Sequence, residues 1–333
     1  MVAVPYAQLL TTPGIDFRLR MAFDAKRGSG APVPVALFVY RRAEQLDRTL
    51  SCLRAAGIEK LYVFSDGPKD AAAAEGVAMV RELVAAIDWI EPVTFARTEN
   101  LGLSGSIRSG LDSMFETHAR AIVIEDDICI APEFHDFACQ ALERYEASDR
   151  VAGVTGLRLP FDRRGLEGYP YDVFLSPRFS SWGWATWRDR WRSFSFDKEA
   201  LRGRIAAAGA AFRPERAGAD MAGMVHEAVV AQTLTGSWDV VCAANMLLDG
   251  RYFVTPMWNM VENTGLSDGA HFSAPPPWQL RWESDRPPAG GRIRFAPVEE
   301  SDQVLREYRR FFTPNRRTLA RARLHALLTG RAR

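Results

Sequence analysis

Four short apolar segments alternate with three amphipathic ones in the first 130 residues, and this rhythm restricts the fold more than any other feature. The apolar segments are VPVALFVY (33–40), LYVFSDG (61–67), VTFAR (93–97) and AIVIEDD (121–127). Such runs are typical of strands buried on both faces of a sheet. The segments between them repeat apolar residues every three or four positions, as amphipathic helices do. The sequence therefore predicts an α/β fold with a mostly parallel central sheet and helices on both faces.

The second half of the chain has a less regular pattern. Its segments with helical or strand spacing are 133–147 (helix), 151–157 (strand), 198–211 and 221–235 (helices), and 250–272 (a strand, then a glycine-containing loop). Trp184, Trp187 and Trp191 recur at the spacing of one helical face. We therefore expect a helix with buried tryptophans in this part of the chain.

Composition and charge exclude several classes of protein. The chain has 333 residues, of which 47% are hydrophobic, and a net charge of +1, which does not indicate nucleic-acid binding. We find no apolar run of the ~20 residues that a membrane span needs, and no signal-peptide pattern at the start. The four cysteines are scattered, which indicates thiols in a reducing compartment. We therefore expect a cytoplasmic protein.

Three consecutive acids, Glu125, Asp126 and Asp127, follow the fourth apolar segment. Carboxyl ends of parallel strands form the ligand-binding edge of such sheets. Two ionised carboxylates ~4 Å apart repel by roughly 4 kcal/mol at an effective dielectric constant of 20, so solvent, arginines or a divalent cation must offset them. Mg²⁺ and Mn²⁺ prefer oxygen ligands and often share them with substrate phosphates. A solvated loop and a helix N-terminus remain alternative interpretations.

Three further features fall at the same predicted edge. Asp66 ends the second strand, and Arg41 and Arg42 follow the first. The loop NLGLSGSIRSG (100–110) places glycines before a helix, where backbone can approach phosphate. Each feature alone is also compatible with an ordinary turn or loop. Their convergence at four strand ends predicts a metal-assisted nucleotide site.

The order of these motifs resembles that of the GT-A glycosyltransferases. The resemblance is to the group that contains N-acetylglucosaminyltransferase I and to bacterial sugar transferases of similar layout. It covers roughly residues 33 to 273, and EDDICIAPEF (125–134) is its most specific part, supported by SSWGWATW (180–187) and SWD (237–239). One departure is Arg41-Arg42-Ala43, where many relatives have Asn-Arg-Pro. This departure lies at the position to which the resemblance assigns the nucleotide contact.

The resemblance implies a role for particular residues. Arg42 would contact the nucleotide and Asp66 the uracil base, Glu125 and Asp126 would hold donor hydroxyls, and Asp127 would bind the metal. Asp239 would be the catalytic base, with Trp238 as the wall beside it. The loop 262–272 would close over the donor. His271 in this loop is a further candidate for contact with the metal or a phosphate, and the alternative interpretation is an ordinary surface histidine.

Three more donor-site candidates come from the residues themselves. Asn100 and Gly102 belong to the glycine loop, where the backbone can approach phosphate. Trp182 precedes Gly183, and sugars stack on aromatic faces where a glycine permits close approach.

The expected organisation has four parts. Residues 1–30 are an N-terminal extension, 31–130 a Rossmann-like half that binds the nucleotide sugar, 131–273 the acceptor-binding and catalytic half, and 274–333 a Pro-rich linker with a basic C-terminal helical tail. Such a tail can lie on an anionic membrane surface, which would suit a lipid-linked acceptor. Packing of the tail on the catalytic domain is the alternative.

The function expected from the resemblance is metal-assisted transfer of a sugar from a nucleotide sugar, expected to be a UDP-sugar, to a hydroxyl of a glycan or lipid-linked acceptor. Mn²⁺ or Mg²⁺ is the expected cofactor, and a base at Asp239 implies inversion at the anomeric carbon. Three alternatives stay open: a sugar-phosphate nucleotidyltransferase, a glycoside hydrolase with paired carboxylates, and a non-catalytic carbohydrate-binding protein.

Overall fold

The computed structural model describes residues 32–159, 163–234, 236–265 and 292–313. Its strands are β1 (Val35–Val39), β2 (Leu61–Ser65), β3 (Val93–Ala96), β4 (Arg120–Glu125), β5 (Ile128–Ile130), β6 (Val151–Thr155), β7 (Val173–Ser176), β8 (Trp184–Trp187), β9 (Tyr252–Pro256) and β10 (Val261–Asn263). Its α-helices are α1 (Ala43–Ala55), α2 (Ala71–Ala85), α3 (Gly102–Thr117), α4 (Phe134–Tyr145), α5 (Arg188–Ser193), α6 (Lys198–Ala208), α7 (Met221–Val225), α8 (Trp238–Leu248) and α9 (Asp302–Phe312).

An eight-stranded sheet forms the centre of the protein, in the order β3-β2-β1-β4-β8-β6-β9-β7. The strands β1 to β4 are mutually parallel, and the parallel pair β6 and β9 runs the same way because β8 lies antiparallel to both β4 and β6. Only β8 and the edge strand β7 run in the opposite direction. The predicted α/β class with a mostly parallel sheet is therefore confirmed.

Helices cover both faces of the sheet, as the alternation of side chains along β1 shows. Val35, Leu37 and Val39 pack into one apolar core with α1, α2, α4 and α9. Ala36 and Phe38 pack into a second core with α3 and α5 to α8. Two cores result because successive side chains of a strand point to opposite faces. The four cysteines are free thiols, and all but one are buried.

Local signals explain where the first helices begin and end. Asp70 caps α2, since its side chain accepts a hydrogen bond of 2.9 Å from the N–H of Ala73. Gly57 follows α1 with a φ of 64°, a conformation that glycine adopts without steric cost. These two turns fix the connections to the strands on either side.

The tryptophan-rich segment corrects one prediction. Trp184 and Trp187 lie in β8, and the helix α5 begins only at Arg188. Trp184 packs into the second core and Trp187 into the first, because residues three apart in a strand lie on opposite faces. Trp191, in α5, is buried as predicted. A spacing of three residues fits a strand buried on both faces as well as a helix.

The helix α9 packs beside the edge strand β7. The hydroxyl groups of Tyr308 and Ser176 lie 2.6 Å apart, and both residues are buried. Arg178 forms a bidentate ion pair with Asp220 and stacks 4.0 Å from the ring centre of Phe312. The last turn of α9 is therefore held against the domain by packing and charge together.

Two predicted regions are covered only in part. The Pro-rich segment and residues 314–333 of the basic tail lie outside the described residues, and so does any membrane contact made there. The central sheet is continuous across the two predicted halves, whose boundaries stay predictions. Among the described residues, no helix combines the length and apolar character that crossing a bilayer requires.

Candidate active site

The three consecutive acids Glu125, Asp126 and Asp127, here called the acidic turn, lie at the carboxyl edge of the sheet, where β4 ends at Glu125. The chain passes through Asp126 and Asp127 into β5, which pairs antiparallel with β10. The N–H and the hydroxyl of Thr264 both donate to the carbonyl oxygen of Asp127, at 2.8 and 3.1 Å. The turn is therefore held by a strand far away in sequence.

Arg42 and Asp127 form an ion pair at this edge, between Nη1 and Oδ2. Arg42 is the N-cap residue of α1, yet its side chain makes no capping hydrogen bond to that helix. The two side chains are 21% and 13% exposed, so the pair is shielded but reachable from solvent. Gly265 packs against both, since a Cβ there would overlap Asp127 Oδ2 and Arg42 Nη1. The predicted nucleotide contact and the predicted metal ligand are thus in direct contact.

Asp126 points toward the end of β1. Its Oδ2 accepts a hydrogen bond of 3.0 Å from the N–H of Tyr40, and its carbonyl oxygen accepts one of 2.9 Å from the hydroxyl of Thr49. Burial, and then the charge of Asp127, raises the pKa of Asp126 to about 7. Asp126 and Asp127 therefore diverge, as side-chain alternation predicts, and a contact of Asp126 with a donor hydroxyl stays a prediction.

The surrounding acids affect the pKa of Glu125. Burial raises the pKa of Glu125 well above its usual range, and the charges of Asp127, Asp126 and Asp239 raise it further, while Arg42 lowers it. A carboxylate influences another in this way only across a short distance. Asp239 therefore lies within electrostatic range of the acidic turn, although Asp239 and Asp127 are 112 positions apart in the sequence.

Asp239 lies in the first turn of α8, where the helix dipole stabilises negative charge. The helix precedes the parallel strand β9, so its first turn reaches the carboxyl edge of the sheet. Trp238, in contrast, is 3% exposed and packs 5.6 Å from Phe179 and 5.8 Å from Trp184, measured between ring centres. The ring of Trp238 therefore supports the start of α8 from within the core, and its role as the wall beside Asp239 at the donor site stays a prediction.

Asp66 is buried and organises the glycine loop. Its carboxylate accepts hydrogen bonds from Nδ2 of Asn100 and from the N–H groups of Gly67, Leu101 and Gly102, all between 3.0 and 3.1 Å. Gly102 has a φ of 68°, which a side chain would disfavour. The N–H groups of Leu101 and Gly102 thus bind Asp66, and a phosphate contact by this loop stays a prediction. A base contact by Asp66 stays a prediction, and it requires one of these donors to give way.

Trp182 lies at the turn before β8 and is partly buried. Gly183, next to it, has a φ of 57°, and a Cβ there would lie 2.6 Å from Cγ1 of Val261. Its carbonyl oxygen accepts a hydrogen bond of 2.7 Å from the N–H of Gly156. The turn therefore requires glycine, and it holds Trp182 at the edge where β8 begins.

The acidic turn fits a divalent cation that arrives with a ligand. Among the described residues, no group of three or more His, Cys, Asp and Glu side chains forms a ready metal cage. Mg²⁺ and similar ions are commonly held by one or two carboxylates together with substrate phosphates. Asp127 already pairs with a cation, the guanidinium of Arg42, so its carboxylate suits positive charge. His271 lies outside the described residues.

Sequence reasoning missed two supports of the acidic turn. The hydroxyl of Thr49, on α1, and the N–H of Tyr40 both bind Asp126. A threonine inside a helical pattern gives no signal of such a contact, and a backbone N–H gives none at all. Thr264 and Gly265 fell in the predicted loop, where the glycine was a signal of close approach.

Comparisons with known proteins agree with the motif order. No protein-family model matches the chain. An alpha-1,3-mannosyl-glycoprotein 2-beta-N-acetylglucosaminyltransferase from Arabidopsis thaliana is 25% identical over 185 residues, which cover 51% of this chain and 41% of the plant protein. The chain thus spans less than half the length of that curated relative. The resemblance to the N-acetylglucosaminyltransferase group is confirmed at this level.

Solved structures give more distant similarities. A mannosyltransferase from Pyrobaculum calidifontis, in complex with GDP-Man and Mn²⁺, is 16% identical with a TM-score of 0.37, covering 72% of this chain and 60% of its own. A UDP-glucose pyrophosphorylase complexed with UDP-glucose is 10% identical with a TM-score of 0.33. The match covers 71% of this chain and 95% of the pyrophosphorylase chain.

Proposed function

We propose that this protein is a glycosyltransferase that moves a sugar from a nucleoside diphosphate donor, a UDP-sugar, to a hydroxyl of a glycan or lipid-linked acceptor. The observation that carries the proposal is the contact between Arg42 and Asp127 at the carboxyl edge, with the charge of Asp239 in range of the same turn. At this edge Arg42 can bind a diphosphate and Asp127 can bind a cation. The carboxylate of Asp239 can accept a proton.

The reaction exchanges one bond at the anomeric carbon for another. The bond to the diphosphate oxygen breaks, and its electron pair leaves with the nucleoside diphosphate. The acceptor oxygen forms the new bond and loses its proton to Asp239, through an oxocarbenium-like transition state. Attack from the side opposite the leaving group inverts the anomeric centre. A base of this kind contributes about 10²–10⁴-fold to the rate.

Binding and charge stabilisation belong to the acidic turn. Arg42 can donate two parallel hydrogen bonds to a phosphate, which positions the diphosphate as well as neutralising it. A Mn²⁺ or Mg²⁺ ion held by Asp127 would supply Lewis-acid stabilisation of the departing diphosphate. Trp182, at the same edge, is available to stack on a sugar or base.

The test is release of nucleoside diphosphate from a panel of UDP-, GDP- and dTDP-sugars, with Mn²⁺ or with EDTA. We expect release from one donor class in the presence of Mn²⁺, increased by an added glycan acceptor, and lost in Asp127→Asn. Asp149→Asn is the matched control, because Asp149 is 89% exposed and precedes β6 at the opposite edge of the sheet. Full activity of Asp127→Asn would contradict the proposal.

A nucleotidyltransferase would give a different product from the same site. It would release pyrophosphate from UTP and a sugar phosphate, which a coupled assay detects. Its phosphate-binding loop is expected to be rich in glycine directly after the first strand, whereas Tyr40, Arg41 and Arg42 follow β1 here. Hydrolysis of a glycan with no nucleotide present would instead favour a glycoside hydrolase.

A further inference from the structure

The Arg42–Asp127 pair occupies the carboxylate that the proposed cation needs. Nη1 of Arg42 is bonded to Oδ2 of Asp127, and Gly265 packs against both atoms. A cation that binds Asp127 must take Oδ2 from the guanidinium or bind Oδ1 beside it, and in both cases the two positive charges meet at one carboxylate. The geometry therefore sets a guanidinium and a divalent cation in competition for one ligand.

The guanidinium of Arg42 is the positive charge that the structure places against Asp127, which follows Glu125 and Asp126 directly in the chain. A divalent cation that arrived alone would lie beside this guanidinium in a partly shielded site, where repulsion between like charges is strong. A bare cation is therefore opposed at this site.

A diphosphate can remove that opposition. Arginine binds phosphate oxygens at two points, and such charge-assisted hydrogen bonds are stronger than neutral ones. The backbone of Arg42 is fixed, because its carbonyl oxygen accepts a hydrogen bond of 2.9 Å from the N–H of Leu46. Its guanidinium has only donors and cannot cap α1, so the guanidinium can change partner while the helix stays in place.

We propose that Arg42 acts as an electrostatic gate on Asp127, so that the divalent cation binds tightly only together with a nucleoside diphosphate. The inference rests on the proposed function for its choice of diphosphate ligand. The diphosphate takes the guanidinium, Asp127 is released, and the cation binds between Asp127 and the phosphates. Cation and nucleotide then bind cooperatively, and each raises the affinity for the other by the same factor.

The experiment measures Mn²⁺ binding by the paramagnetic resonance signal of the free ion, with no sugar donor present. For the wild type we expect at least tenfold tighter binding of Mn²⁺ with UDP than without it. For Arg42→Gln we expect binding of Mn²⁺ alone to tighten at least tenfold, and its dependence on UDP to shrink accordingly. Adding Asp127→Asn to Arg42→Gln should remove the gain. Equal Mn²⁺ affinity of wild type and Arg42→Gln without nucleotide would overturn the inference.

Two variants distinguish the effect of the Arg42–Asp127 ion pair on Mn²⁺ binding from the effect of losing any nearby positive charge. Arg48→Gln removes an exposed positive charge on α1 outside the proposed site, and we expect Mn²⁺ binding as in the wild type. Arg42→Lys keeps a cation beside Asp127, and we expect weak binding of Mn²⁺ alone to be retained. Tightening in Arg48→Gln as large as that in Arg42→Gln would overturn the gate in favour of a general effect of charge. Thermal melting of each variant establishes that it is folded.

The outcomes distinguish this inference from the function on which it rests. If Mn²⁺ binding follows the pattern above and no nucleotide sugar is consumed, the gate stands and the transferase proposal fails. If sugar transfer is observed and Arg42→Gln does not tighten the binding of Mn²⁺ alone, the transferase proposal stands and the gate fails. GDP replaces UDP in the titration if the donor panel identifies a GDP-sugar.

Discussion

Nδ2 of Asn100 donates to Oδ2 of Asp66 at 3.1 Å, and it also donates to the carbonyl oxygen of Gly67 at 2.8 Å. One amide thus joins the end of β2 to the loop before α3. The N–H groups of Leu101 and Gly102 complete the contacts of the buried carboxylate. This arrangement makes Asp66 the organiser of one side of the proposed donor site.

Replacement of Asp66 by alanine should destabilise the protein. The N–H groups of Leu101 and Gly102 would lose their buried acceptor, and we expect a decrease of about 1–3 kcal/mol in the free energy of unfolding. Urea unfolding followed by circular dichroism measures it. Asp47→Ala, on the exposed face of α1, is the control. A loss in Asp66→Ala no larger than in Asp47→Ala would refute the organising role.

Replacement of Asp239 by asparagine should lower kcat by about 10²–10⁴-fold and leave donor binding nearly unchanged. The amide fills the same space but accepts no proton from the acceptor hydroxyl. Steady-state kinetics and nucleotide titrations measure the two effects. Asp249→Asn, at the other end of α8, is the matched control. A decrease in kcat of less than threefold in Asp239→Asn would exclude a base at this position.

Replacement of Gly265 by alanine should weaken joint binding of cation and nucleotide by at least about tenfold, roughly 1.4 kcal/mol. The added Cβ would overlap Asp127 Oδ2 and Arg42 Nη1, so the acidic turn must shift. Calorimetric titration of UDP in the presence of Mn²⁺ measures the effect. Gly203→Ala is the control, since nothing lies within 4 Å of a Cβ there, and alanine favours the helix α6. Wild-type affinity in Gly265→Ala would show that the turn adjusts freely.

Alkaline pH should destabilise the packing of α9. Burial raises the pKa of Tyr308 to about 12 from an ordinary value of 10. Above pH 10 the unfolded chain loses this proton while the folded protein keeps it. The contribution to stability, roughly 3 kcal/mol for two pKa units, is therefore complete below pH 10 and lost between pH 10 and 12.

Tyr308→Phe isolates this effect, since other tyrosines ionise in the same range. Ser176 keeps its contacts with Arg178 in the variant, because its hydroxyl donates to the carbonyl oxygen and accepts from the N–H of that residue. Unfolding free energies from pH 8 to 12 should fall more steeply in the wild type than in Tyr308→Phe. Parallel curves would place the ionisation elsewhere.

The first half of the fold could be predicted from sequence because its signals are local. Continuous apolar runs mark β1 to β4, and residues such as Asp70 and Gly57 mark the helix ends between them. The strand β7 (Val173–Ser176) was missed because it lies outside the regular alternation of strands and helices that marked β3, a strand of the same length. Trp184 and Trp187 were placed in a helix, because only the strands on either side of β8 decide between the two structures.

The position of the candidate residues at one edge of the sheet was predictable from sequence, but their contacts were not. Strand ends alone brought Arg42, Asp66 and Asp127 to one edge, as parallel topology requires. No sequence pattern shows whether Asp66 faces a ligand or the chain itself, since its donors Leu101 and Gly102 follow about 35 residues later. The same limit applied to Trp238, whose burial depends on the ring of Trp184 across the second core.

The hydrogen bond from Thr264 to the carbonyl oxygen of Asp127 spans 137 positions of the chain, and this distance has a consequence for biosynthesis. While the protein is being made, β1 to β4 emerge together with the helices that cover them, and their pairings join segments close in sequence. β10 reaches β5 only after residue 264 has left the ribosome. A nascent chain therefore carries the acidic residues long before it carries an assembled site.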